Sequence, residues 1–119
     1  MMATRPPIER NDSSKAIAER MRLTRIAYGR TQGRARAISQ KVFCDLVDLS
    51  QQLWNNVERG SARLGLNSAI KIVERIGVTL DWIYLGRRDG LPAKLATEIS
   101  KLEKEDRKVD RDWLDLSQK

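Results

Sequence analysis

Four carboxamides stand within six residues of this chain: Gln51, Gln52, Asn55 and Asn56. A carboxamide sets a donor and an acceptor side by side, a pair that matches the N6 and N7 edge of adenine in a duplex groove. The plain alternative is a polar face turned to solvent, as most such faces are. No Lys or Glu falls among the four, which is unusual for simple solvation. Which use they serve depends on the elements that carry them.

Residues 39–60, SQKVFCDLVDLSQQLWNNVERG, spell two short amphipathic helices with almost no linker. Ser39 is a helix-capping residue, and Val42, Phe43 and Leu46 follow at helical spacing. Asp48 tolerates a left-handed turn better than most residues, and Leu49 plugs the corner. Ser50 is a second cap, and Leu53, Trp54 and Val57 form the apolar stripe of the second helix. Gly60 suits the position after its end. The spacing predicts helices over 40–47 and 51–58, a helix-turn-helix whose second helix lies in the major groove. Opposite or beside its stripe stand the four amides.

These residues resemble the lambda-repressor-like, or XRE, group of transcriptional regulators, which includes the phage Cro proteins. The family pattern is Ser-Gln opening one helix, a small residue four places after that Gln, Ser at the next cap, a large aliphatic four later, then Glu-x-Gly. The chain carries Ser39-Gln40, Cys44, Ser50, Trp54 and Glu58-Arg59-Gly60. The family's closing Gly-Val-x-Leu-Asp-Trp-Leu is matched by Gly77-Val78-Thr79-Leu80-Asp81-Trp82-Ile83. The resemblance spans about Ile17 to Gly86. Departures are Asp48 for the usual turn Gly, Trp54 for an aliphatic, and Leu64-Gly65 for Pro-Ser. The largest is an insertion of roughly seven residues, Arg30 to Arg36, between the first helix and Ser39.

The resemblance implies an all-α, five-helix lambda-repressor-like DNA-binding domain, here followed by an extra C-terminal helix. It implies a cytoplasmic, repressor-like regulator of prokaryotic or phage origin, with no catalysis, no cofactor and no metal. By matching positions, Gln51, Gln52 and Asn56 read bases and Asn55 makes a flanking contact. Gln40 and Arg63 hold phosphate. Arg30, Arg34 and Arg36 of the inserted loop are read as a phosphate or minor-groove arm, against the plainer reading of a flexible insertion.

Composition agrees with a DNA binder. Of 119 residues, 23 are Lys or Arg and 16 Asp or Glu, a net charge of +7. Residues 1–91 hold 16 cations against 9 acids and residues 92–119 hold 7 against 7, so the whole surplus lies with the motif. Phosphate neutralisation is the usual role of such a field, and solubility the bland one. One Cys excludes an internal disulfide, and the absence of His excludes a common zinc site. Cys44 reads as a small hydrophobe. Without His, clustered carboxylates or a Gly-rich phosphate loop, acid–base or phosphoryl chemistry has no residues to run on. No apolar run nears the ~20 residues of a membrane span, and no secretory signal is visible.

The remaining elements follow from period and caps. Residues 1–14 read as a flexible N-terminus and 15–86 as the DNA-binding domain. Within it, Lys15 to Tyr28 forms the first helix, with Ile17, Met21, Leu23 and Ile26 among its apolar positions. Leu66 to Ile76 turns Ala69, Ile70, Val73 and Ile76 inward. Leu80 to Leu85 is a short fifth helix, with Trp82 and Leu85 closing the core. Residues 87–91 form a linker.

From Leu95 the apolar positions Leu95, Ile99, Leu102, Val109, Trp113 and Leu116 are spaced 4, 3, 7, 4 and 3. This is a heptad seam interrupted by Asp106, and it is read first as a homodimer contact. A helix folded back on its own domain, or a frayed tail, would give the same pattern. Two further functions stay open. The chain could be a protein-interaction module, such as an antitoxin-like partner acting through the C-terminal helix. RNA binding is weaker, because all three Trp fall in apolar stripes and leave only Tyr28, Tyr84 and Phe43 for stacking.

Overall fold

The computed structural model describes residues 12–33 and 38–117, with side chains as far as Lys108. The described residues form six α-helices and no strand. These are α1 (Ser14–Thr31), α2 (Gln40–Val47), α3 (Gln51–Glu58), α4 (Leu66–Ile76), α5 (Leu80–Leu85) and α6 (Ala93–Ser117). None is long and apolar enough to cross a membrane.

The caps set the boundaries. The hydroxyls of Ser13, Ser39, Ser50 and Thr79 accept the N–H groups of Ala16, Val42, Leu53 and Trp82, each three residues on. Each occupies one of the donors that the first helical turn leaves unpaired. Asp48 ends α2 in the left-handed region, at φ 57°, and is the only described non-glycine residue there. The Lys71 ammonium holds this turn, donating to the Asp48 carbonyl at 2.9 Å and its carboxylate at 3.4 Å.

One core joins all six helices. Phe43, Val47, Trp54, Val57, Ala69, Ile72 and Ile83 are fully buried in it. The Phe43 and Trp54 rings meet at 4.7 Å between centroids. The polar atoms inside are paired: the Trp82 indole donates to Thr24, whose hydroxyl donates to the Arg20 carbonyl. Arg20 in turn donates to the Ile83 carbonyl, tying α1 to α5.

Three apolar side chains face otherwise than their spacing predicts. Ile70 was expected inward but is 39% exposed, and Ile72 takes its place. Leu85 was expected to close the core but is 41% exposed, and Ile83 lies inside with Trp82. Leu46 of α2 is 42% exposed. In each case two apolar residues lie near one edge of the stripe, and the tilt of a short helix decides which is buried.

The seam of α6 can be followed through its first half. Leu95, Ile99 and Leu102 belong to the same core, so this half of the seam is spent inside the molecule. α1 makes extensive contacts with both α6 and α3. Arg30 of α1 reaches Glu98 and Glu105, and Arg22 reaches Asp106. As α1 numbers fall, α6 numbers rise, so the two helices run antiparallel. Asp106, which breaks the heptad, sits 2.7 Å from the Arg22 guanidinium. Arg88, beyond α5, takes Glu103 on the same helix. The side chains of Val109, Trp113 and Leu116 lie outside the described residues.

Candidate nucleic-acid interface

α3 is eight residues long, about 12 Å at 1.5 Å per residue. Trp54 and Val57 are buried and Leu53 half-buried, which fixes the inward side. At 100° per residue, Gln51, Asn55, Gln52 and Asn56 then fall on the outward side. Gln51 and Gln52 are exposed, and Asn55 and Asn56 half-buried. None of the four carboxamides is engaged by another described side chain, although the Asn56 backbone carbonyl accepts from Ser61 and Ala62. Their donors and acceptors are open to a partner.

Arg59 was not singled out from the sequence. It stands seven residues after Gln52, so it extends the same outward face by one further turn, and it is exposed. It has no ion-pair partner among the described residues. The seven-residue spacing from Gln52 was a signal available to find it. Arg59 and Lys15 line one surface depression of about 610 Å³, beside Glu19 and Gly60. Glu58 lines it too, so its two cations stand beside two carboxylates.

At the start of α2, Ser39 caps the helix, Gln40 is half-buried and Lys41 exposed. The Gln40 and Lys41 N–H groups precede the first intrahelical bonds and point along the axis, where an anion is favoured. Lys41 was also missed, although its place directly after Gln40 in the first turn was a signal available to find it.

The arginines divide. Arg63 is exposed, but its guanidinium donates to the Asp12 carbonyl at 2.7 Å and carboxylate at 3.2 Å. Arg30 does not project as an arm. It forks onto Glu105 at 3.0 and 3.2 Å. The hydrogen bond to Glu105 raises the pKa of Arg30, and the same bond lowers that of Glu105. In the free protein its guanidinium is thus paired with α6. Arg34 and Arg36 lie outside the described residues.

Cys44 is buried, and burial, with Glu58 and Asp45 adding, pushes its thiol pKa up. A protonated, enclosed thiol is not a nucleophile. No group of three His, Cys, Asp or Glu among the described residues could hold a metal ion. No protein-family model matches the chain, and neither a curated protein nor a solved structure matches it.

Proposed function

We propose that this chain is a sequence-specific double-stranded DNA-binding regulator, repressor-like, built on the five-helix lambda-repressor-like plan with α6 added. The observation that carries the reading is the outward face of α3. Four carboxamides stand there with no partner among the described residues, on a helix short enough to lie in one major groove. α3 reads base edges through Gln51, Gln52, Asn55 and Asn56, while Gln40, Lys41 and Arg59 hold the phosphates that flank it. Arg63 joins them by exchanging Asp12 for a phosphate. The surplus of seven positive charges in residues 1–91 supplies the sequence-independent attraction.

An α3 of about 12 Å covers only a half-site, so the regulator acts as a homodimer on a two-fold site. Because Leu95, Ile99 and Leu102 are already buried within the domain, the dimer surface falls elsewhere. Among the described residues the exposed large apolar side chains are Leu46, Leu66, Ile70, Leu80 and Leu85, and the cluster of Leu66, Ile70, Leu80 and Leu85 on α4 and α5 is taken as that surface.

The test is selection of bound sites from a random DNA pool. The expected result is a palindromic motif with half-sites near one helical turn apart. Recovery of unselected sequence would leave the amide face as solvated surface.

A further inference from the structure

Between α1 and the reading helix lies a charged group that the proposed function has not used. Arg25 of α1 and Glu58 of α3 form a nearly enclosed ion pair, their side chains 14% and 6% exposed. Arg25 meets the carboxylate with two prongs, Nε at 2.8 Å from Oε2 and Nη2 at 3.0 Å from Oε1. Its Nη1 donates at 2.6 Å to the Ile38 carbonyl, one residue before the Ser39 cap of α2. The Trp54 indole N–H donates to the same Glu58 carboxylate. Ile38 itself is buried against Gly29 of α1, where an added Cβ would come within 3.1 Å of the Ile38 nitrogen.

We infer that Arg25 is a positioning residue that sets both DNA-facing ends of the motif from one point on α1. One prong pair fixes the last turn of α3, and the third donor fixes the entry to α2. The fork is planar and rigid, so the two anchor points sit at a set distance and angle from each other. A buried ion pair is a poor source of net stability, because desolvation offsets most of the attraction. Its gain here is orientation. Small misplacements of a constellation weaken aligned contacts far more than diffuse ones. Bidentate amide–base contacts need that alignment, whereas phosphate contacts on flexible Lys and Arg do not. Trp54 completes the joint. Its indole gives Glu58 a donor that an aliphatic residue at this position would lack, and keeps the carboxylate turned toward Arg25.

This inference rests on the base-reading proposal, and two separate readouts keep them apart. The variants are Arg25→Lys, which keeps the charge but loses the fork, and Trp54→Phe, which keeps a ring but loses the N–H. Both stay helical by circular dichroism, and if Arg25→Lys fails to fold, Trp54→Phe carries the test. In binding, each loses about tenfold on the selected site, the scale of one misaligned bidentate contact, and changes little on random DNA. In the free variants, amide hydrogen exchange quickens at 39–42 and 51–58 but not in α4 or α5.

Unchanged selectivity in the folded variants, or an equal loss on selected and random DNA, overturns the inference. Should the wild-type chain prefer no DNA sequence, the base-reading proposal fails and exchange alone decides. Faster exchange confined to the two segments still establishes the positioning role, and a uniform rise across all helices refutes it.

Discussion

α3 and α6 are both amphipathic helices rich in polar residues, and they use that polarity in opposite ways. On α6, Glu98, Glu103, Glu105 and Asp106 each meet an arginine from elsewhere in the chain, and the apolar seam as far as Leu102 is buried. On α3, the four outward carboxamides meet none of the described side chains. Polar residues spent inside the fold are part of its construction, and polar residues left open are available to a partner. Substitutions should therefore separate into two classes, those that cost stability and those that cost binding.

The largest effect belongs to the spent side. Ile99 is fully buried between α6 and the body, so Ile99→Ala should cost about 2–5 kcal/mol of unfolding free energy. Denaturant unfolding checks this, and truncation after Gly90, which removes the buried Leu95, Ile99 and Leu102, should leave a chain that does not fold. A truncated chain melting like the full one would mean that α6 is an appendage and the comparison is wrong.

Next come the open amides. Gln51→Ala or Gln52→Ala should each cost roughly 1–3 kcal/mol on the selected site and little on random DNA. Thermal stability should stay within about 0.5 kcal/mol of wild type, as for other surface changes. Titration of both DNAs against each variant separates the two costs.

A smaller contrast sharpens the comparison among cations. Arg59→Ala should reduce the slope of log affinity against log salt by about 0.9, one phosphate contact. Arg30→Ala should leave the slope unchanged, because Arg30 is held by Glu105 and Glu98. A reduced slope for Arg30→Ala would show that DNA draws it away from α6.

The smallest effect is in pH. Hydrogen bonding from Arg30 holds the Glu105 pKa below the usual carboxylate value of about 4.3. A depressed folded-state pKa means that the pair contributes above the ordinary value and is lost as pH falls through the lowered one. Opening of α6, read as amide exchange corrected for its intrinsic pH dependence, should thus be flat near neutrality and rise only on the acid side. Because Glu105 is exposed, the change should be slight, and a rise beginning near neutral pH would point to another group.

The limits of the sequence follow the same division. The bounds of α2 to α5 were legible because caps are local: Ser39, Ser50, Asp48 and Gly77 act within one turn of their own position. The outward placement of Gln51 and Gln52 was legible for the same reason, since Trp54 and Val57 fix the helix phase. α6 was harder. A heptad seam reads alike whether it meets its own α1 or another copy, and the partner of Asp106 is Arg22, 84 residues away. The engagement of Arg30 with Glu105, 75 residues away, is hidden in the same manner. Arg25 was not singled out at all, since one arginine among the four of α1 carries no local mark of the Glu58 it pairs with.

The central claim is that the open carboxamides of α3 read base pairs, and repeating the pool selection with Gln51→Ala and Gln52→Ala beside the wild-type chain tests it most directly. The account predicts that each variant still binds, with the preference lost at one or two positions of each half-site and kept at the others. Recovery of the same full motif by both variants would contradict it, because α3 would then lie on the DNA without reading it.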